Sequence, residues 1–260
     1  MLRRTAAVLS VAVGMVLASA AGANSPATQP TKKLRVAIYQ DGGAGEKGTV
    51  NVNNCLAKLP DGFESYVVNA DDIRAGKLAG ADVLVQPGGS GSKQAATLGD
   101  NGREIIKNFV KSGHGYVGIC AGAYLSTNDY AWSLGFINAK VLDKKHWARG
   151  PETKLKIHFT PEGQQILGQD AGEHEVIYHQ GPVLAPSTQP GLPAYTPLAV
   201  YDTEVVSPKG GIPNLMVGAT AIAAGTYGQG HVVAISPHPE RSDGLDGVIR
   251  NAVKWAAQGN

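Results

Sequence analysis

The alternation of short apolar runs with helical patterns is the feature that most restricts the fold of this chain. LRVAIY from Leu34 is a short, nearly continuous apolar run that predicts a strand, and ESYVV from Glu64 and ADVLVQ from Ala81 predict a second and a third strand. VNVNNCLAKL, between the first two, has a helical pattern. Strands that alternate with helices pair in parallel, and the connecting helices then cover both faces of the sheet. The pattern predicts an α/β fold with a doubly wound, mostly parallel sheet.

Later segments carry signals for the ends of helices and strands. Asn101 followed by Glu104 predicts a helix that begins at Asn101, and HGYVGIC predicts the strand after it. KLKIHF predicts a half-buried strand, TPEGQQIL a short helix capped by Thr160, and PVLAPSTQPGLP a loop. Ala219–Thr226 and HVVAIS predict a hairpin across YGQG, followed by a closing amphipathic helix.

The amino-terminal residues differ in composition from the rest of the chain. Arg3 and Arg4 precede an uncharged apolar stretch that ends in small residues, which is the layout of a secretory signal. A membrane anchor is the alternative, but a spanning helix needs about 20 apolar residues and this stretch is shorter. We expect a signal peptide over 1–23, a flexible leader over 24–33, and one domain over 34–260. The expected location is therefore outside the cytoplasm, either periplasmic or secreted.

Charge and motif spacing disfavour several classes of partner. A formal net charge of +2 without a long run of Lys or Arg gives no strong electrostatic attraction for nucleic acid or for an anionic membrane surface. We therefore expect no nucleic-acid partner, and no membrane contact beyond passage across a membrane during export. GGAGEKG, residues 42–48, has the spacing of a dinucleotide fingerprint, with Asp71 and Asp72 downstream, but the strand before it ends several residues too early. We interpret this loop as lining the site, with Gly43 as a substrate contact. The histidines form no HxxxH or HExxH pair, so we expect no metal and no cofactor.

The stretch GYVGICAGAYL places Cys120 between Gly118 and Gly122, where a strand turns into a helix. A nucleophile at such a turn is exposed at the carboxyl edge of the sheet, and the cramped backbone needs small neighbours. The helix that begins at Ala121 directs its dipole at the sulfur, which favours the thiolate. The alternatives are a small buried cysteine, and a disulfide with Cys55 that would block the nucleophile.

Two further stretches supply the groups that a thiol nucleophile needs. ISPHPER places His238 and Glu240 two residues apart, so that in extended chain the carboxylate could orient the imidazole as a base. VQPGGSGS follows a strand, and the Gly89 amide with the Ala121 amide could form an oxyanion hole. The alternatives are a surface pair and an ordinary glycine turn.

The order of these stretches, a PGG loop, a GxCxG turn and a late HPE, resembles the class I glutamine amidotransferase-like superfamily. Within it, GREIIKNFVKSGHGYVGICAGAY, TPEGQQILG, YHQGP and YGQGHVVAISPHPE are most similar to the domain at the amino end of some biotin-protein ligases and its free-standing bacterial relatives. The likeness runs from about Leu34 to the end. It implies a flavodoxin-like, three-layer fold in which Cys120, His238 and Glu240 are nucleophile, base and orienting group. It also implies that the following residues contact substrate: Ser90, Tyr124, His179 and Gln180.

The resemblance implies hydrolysis or transfer at an amide or related acyl bond, through a thioester on the cysteine. The expected substrate is a small-molecule or peptide amide. Because the sequence shows no synthase or ligase segment, we expect no synthase partner, no glutamine-dependent biosynthesis and no biotin attachment. The alternative is a non-catalytic module that binds a small molecule or peptide in the same pocket.

Overall fold

A mixed sheet of 11 strands forms the centre of the structure, a computed structural model that describes residues 32–144, 152–205 and 212–259. The strands are β1 (Leu34–Tyr39), β2 (Phe63–Val68), β3 (Val83–Gln86), β4 (Gly115–Ile119), β5 (Ala139–Val141), β6 (Thr153–Phe159), β7 (Glu173–Tyr178), β8 (Leu184–Pro186), β9 (Thr196–Tyr201), β10 (Thr220–Tyr227) and β11 (Gly230–Ile235). The helices are α1 (Glu46–Ala57), α2 (Ala70–Arg74), α3 (Gly91–Lys111), α4 (Ala121–Ser126), α5 (Pro161–Leu167) and α6 (Asp246–Ala256), with 3₁₀ turns at Lys77–Gly80 and Pro239–Arg241. The predicted signal peptide and all but the end of the predicted leader lie outside the described residues.

Parallel strands in the order β2, β1, β3, β4 and β11 form one half of the sheet. The strands β10, β9, β6 and β7 continue the sheet with antiparallel pairing. The predicted α/β fold with a mostly parallel central sheet is confirmed, and so is the hairpin of β10 and β11. The strand predicted at KLKIHF is β6, whereas β7 and β9 of the antiparallel extension were not predicted.

Both faces of the sheet are covered. Along β1, Val36 and Ile38 pack in a core with α1, α5 and α6, whereas Ala37 and Tyr39 pack in a second core with α2, α3 and α4. This alternation is what a strand buried on both faces requires, because successive side chains point to opposite sides. The result is the predicted three-layer arrangement. No helix in the described ranges is long and apolar enough to cross a membrane.

Two predicted boundaries are wrong. The helix predicted to begin at Asn101 begins at Gly91, and its backbone is interrupted at Gly99, where φ is 63°. The segment before the break is helical because it buries apolar side chains such as Leu98 against the sheet. The predicted loop at PVLAPSTQPGLP contains β8, whose Leu184 is buried and pairs with β10. The cap at Thr160 is confirmed, since its hydroxyl accepts from the Gly163 amide at 3.0 Å.

Candidate active site

The turn between β4 and α4 holds Cys120 in a backbone conformation that L-residues rarely adopt, with φ 49° and ψ −96°. Its two glycines allow this turn to lie against neighbouring backbone. A Cβ on Gly118 would lie 2.3 Å from the Gly122 oxygen, and a Cβ on Gly122 would lie 2.1 Å from the Gln86 oxygen. Strained residues of this kind cluster at functional sites. The GxCxG spacing is therefore a steric requirement of this turn.

The candidate base and its orienting carboxylate lie directly after β11. His238 Nδ1 is 2.7 Å from Glu240 Oε1, and the two side chains are only 8% and 3% exposed. The backbone between them is a 3₁₀ turn and not the extended chain of the sequence prediction, because Pro239 begins the turn. The two side chains nevertheless meet. Since Nδ1 contacts the carboxylate, Nε2 is the nitrogen left for Cys120.

His238 and Cys120 are neighbours in the fold. A Cβ placed on Gly88 would lie 2.9 Å from His238 Cε1 and 3.6 Å from Cys120 Cβ. Burial by itself would lower the pKa of His238, but the Glu240 carboxylate and a hydrogen bond with Cys120 raise that pKa to about 10. The site therefore favours the imidazolium at neutral pH.

The PGG loop after β3 lies beside the sulfur, and Gly88 and Gly89 line the same cavity as Cys120. Gly89 has φ 139°, and a Cβ there would lie 1.9 Å from the Gly43 oxygen, so only glycine fits. The buried Gln94 amide fixes this loop by donating to the Gly43 oxygen at 3.2 Å and the Pro87 oxygen at 3.1 Å. Gly43 packs behind this loop and supports it, and it is not among the described residues that line the cavity. Its predicted contact with substrate stays a prediction.

The second predicted oxyanion donor, Ala121, is the first residue of α4. Its amide has no acceptor within the helix, as is general for the first turn. The pairing of the Ala121 and Gly89 amides around an oxyanion stays a prediction.

A cavity of about 800 Å³ opens over Cys120 and contains most of the predicted substrate contacts. Ser90, Tyr124, His179 and Gln180 all line it, together with His238 and Glu240. The cavity is large enough for a substrate that extends well beyond a single amide group.

One wall of the cavity was not predicted from the sequence. Tyr130 and Trp132 stack with ring centroids 4.6 Å apart, and Lys144 Nζ lies 4.7 Å from the centre of the Tyr130 ring. The spacing of two aromatic residues in NDYAWS was the available signal, but nothing local connects it to Cys120. Gly88 was also missed, although the PGG motif contained it.

Comparisons with known proteins identify a related family and a shared fold. Residues 34–153 match the family described as "Biotin-protein ligase, N terminal". The predicted resemblance to this family is confirmed. The matched range includes the PGG loop and Cys120 but ends before His238 and Glu240. The contacts of His238 with Cys120 and with Glu240 are therefore findings of the fold. No curated protein matches the chain.

Solved structures show the same fold at low sequence identity. PurLQS from Thermotoga maritima is 16% identical with a TM-score of 0.60, and the match covers 87% of this chain and 98% of that one. A thua-like protein from Bacteroides uniformis is 17% identical with a TM-score of 0.55, covering 89% and 95%. A mutant of Gan42B, a GH42 beta-galactosidase from G. stearothermophilus, is 13% identical with a TM-score of 0.55, covering 86% of this chain but 29% of its own. The chain has a class I glutamine amidotransferase-like fold.

The second cysteine of the chain lies behind the site. Cys55 and Cys120 are both free and buried, and Cys55 Sγ is 3.8 Å from the Glu240 main-chain oxygen. Burial and then the nearby Glu240 charge raise the pKa of the Cys55 thiol to about 11. Cys55 is thus an unreactive core thiol, and the alternative disulfide is not formed in this structure.

The competing ligand signals find ordinary structural uses in the amidotransferase-like fold. Asp72 caps α2 and pairs with Lys77 at 2.6 Å, and Asp71 pairs with Arg74 at 2.7 Å. Within the described ranges, no group of three or more His, Cys, Asp or Glu side chains is arranged to hold a metal ion.

Proposed function

We propose that this chain is a cysteine hydrolase or acyl transferase that acts on an amide or related acyl bond through a thioester. The observation that carries the proposal is the contact of three buried groups at one sheet edge: a thiol on a strained turn, an imidazole beside it, and a carboxylate 2.7 Å from that imidazole. A pocket used only for binding has no need of a thiol, a base and an orienting carboxylate in series.

The proposed reaction begins from the ion pair in which His238 already holds the proton of the Cys120 thiol. The thiolate attacks the carbonyl carbon of the substrate, and the Gly89 and Ala121 amides stabilise the oxyanion. His238 then gives its proton to the leaving amine as the carbon–nitrogen bond breaks, which leaves a thioester. Water or a second amine attacks the thioester, returns a proton through His238 and frees the thiol. Glu240 holds the imidazole and stabilises its charged form.

The proposed substrate is a small-molecule or peptide amide, and the proposed location is periplasmic or secreted. The size of the cavity supports a substrate with substantial groups attached to the reacting carbon. The proposed location rests on the amino-terminal sequence alone, and the reaction does not depend on it.

Replacement of the Glu240 carboxylate tests the proposed arrangement of thiol, imidazole and carboxylate. Glu240→Gln is expected to lower kcat/KM by a factor on the order of 10² to 10⁴, because the amide no longer stabilises the imidazolium or fixes its tautomer. The measurement is turnover of p-nitrophenyl acetate, with the His238 pKa followed by NMR and expected to fall from its raised value.

A matched variant on the surface controls for the loss of a carboxylate. Glu104 is exposed on α3 and pairs with Lys107, so Glu104→Gln is expected to retain full turnover. Unchanged turnover in a folded Glu240→Gln variant would remove Glu240 from the mechanism.

A further inference from the structure

The main-chain carbonyl of His179 lies beside the candidate nucleophile. Its oxygen is 3.4 Å from Cys120 Sγ, which is hydrogen-bond distance for a thiol donor. His179 follows β7 and begins the turn His179–Gly181 that borders the cavity. The His179 oxygen will therefore also lie close to the substrate carbon that the sulfur attacks.

Several contacts fix the turn and so the direction of this carbonyl. The Tyr124 hydroxyl donates to the Gln180 oxygen at 3.2 Å, and the Tyr178 hydroxyl donates to the Gly181 oxygen at 2.8 Å. Gln180 has a φ of 63°, which is costly for a residue other than glycine. A Cβ on Gly181 would lie 2.0 Å from the Ser236 oxygen, so the turn packs directly on the end of β11. The surrounding fold thus holds the carbonyl at the sulfur.

The hydrogen bonding of this oxygen changes during the proposed reaction. Within the described part of the chain, the Cys120 thiol is the donor recorded for the His179 oxygen. In the ion pair from which the proposed reaction begins, that proton is on His238, and the oxygen lacks this donor beside the reacting atom. An unpaired acceptor weakens the state concerned by roughly tenfold to a hundredfold where it is buried, and by less at a partly buried position such as this one. A substrate that brings its own donor avoids that loss.

The position of the oxygen identifies which substrate atom can donate. A substituent on the reacting carbon lies two bonds from the sulfur, so it can come within hydrogen-bond distance of an oxygen 3.4 Å from that sulfur. We propose that the His179 main-chain carbonyl accepts from the N–H of the scissile amide and so selects amides over esters. An ester presents an oxygen there, which repels the carbonyl. This inference rests on the proposed function and narrows its "amide or related acyl bond" to an N–H-bearing leaving group.

Loss of one hydroxyl that orients the turn tests this role. The probes are two matched pairs of substrates, the p-nitroanilide and the p-nitrophenyl ester of acetic acid and the same two derivatives of succinic acid. The readout for each pair is the ratio of kcat/KM for the amide to kcat/KM for the ester. Tyr124→Phe removes the donor to the Gln180 oxygen and loosens the turn that directs the His179 carbonyl. We expect the ratio to fall by about threefold to tenfold. A merely structural loss would lower both substrates alike and leave the ratio where it was.

A second tyrosine serves as the matched control. The Tyr195 hydroxyl bonds the Thr220 hydroxyl at 3.0 Å, and neither residue lines the cavity among the residues described. Tyr195→Phe is expected to keep the ratio of the parent. If turnover depends on Cys120 but the ratio is the same in all three proteins, the role of the His179 carbonyl is wrong and the proposed function stands. If neither substrate gives turnover that depends on Cys120, both proposals fail.

Discussion

Cys120→Ser is expected to lower kcat/KM for p-nitrophenyl acetate by at least about 10³-fold, with little change in stability. Loss of the nucleophile in comparable hydrolases removes nearly all of the rate, because the remaining groups act on it as a unit. Serine is close in size to cysteine and fits the same turn, but the thiolate is the species that the imidazolium stabilises. Turnover and thermal unfolding are measured on the same samples, so that a folding defect is separated from a chemical one.

The other cysteine provides the control for this substitution. Cys55 Sγ faces the Glu240 main-chain oxygen from within the core, so Cys55→Ala removes a thiol without touching the proposed nucleophile. We expect Cys55→Ala to retain turnover. Equal turnover by Cys120→Ser and the parent would instead favour the binding module, in which the cysteine has no chemical role.

Gly122→Ala is expected to destabilise the protein by roughly 3 kcal/mol, the upper part of the range for overpacked sites. The new methyl group would lie 2.1 Å from the main-chain oxygen of Gln86. Backbone cannot rotate away as a side chain would, so α4 must move off β3, and Cys120 moves with it. We expect turnover to fall together with the unfolding temperature, both measured against the parent.

A glycine in a roomy helical position is the matched control. At Gly247 in α6 the nearest atoms to an added Cβ are 3.5 Å away, at the end of the Gln169 side chain. Gly247→Ala is expected to raise stability by up to about 1 kcal/mol, because alanine favours the helix. If Gly122→Ala unfolds at the same temperature as Gly247→Ala, the close approach at the turn is not what requires glycine.

The sequence predicted those parts of the site in which local spacing has a single steric solution. Gly118 and Gly122 are required because each lies against main-chain atoms of a neighbouring segment. The need for small residues at these positions follows from the strand-to-helix turn alone. His238 and Glu240 are only two residues apart, so their side chains can bond each other. They do so even though the backbone between them is a 3₁₀ turn and not extended chain. The hydrophobic pattern was sufficient for the parallel strands β1, β3 and β4, since each is a short run of mostly apolar residues.

Features that depend on distant pairing could not be predicted in this way. The strands β7 and β9 are partly exposed, and their polar and apolar residues do not alternate regularly. They form because β6 lies between them and pairs with β9 on one side and with β7 on the other. Gly43 looked like a ligand contact in sequence, but its place behind the PGG loop is set by Gln94, which lies far along the chain. The Tyr130–Trp132 wall and the His179 carbonyl reach Cys120 only through the fold. No residue pattern reports the direction of a main-chain carbonyl.

The most direct measurement is the rate of iodoacetamide alkylation at Cys120 as a function of pH, read by mass spectrometry with Cys55 as an internal reference. Because the His238 pKa is raised, the imidazolium persists through neutral pH and is lost only as pH rises through about 10. The account predicts fast, nearly constant labelling between about pH 6 and pH 8, well below the ordinary thiol pKa of about 8.5, and its loss in His238→Ala. Slow labelling that rises only near that ordinary pKa and is the same in His238→Ala would contradict a thiolate held by His238.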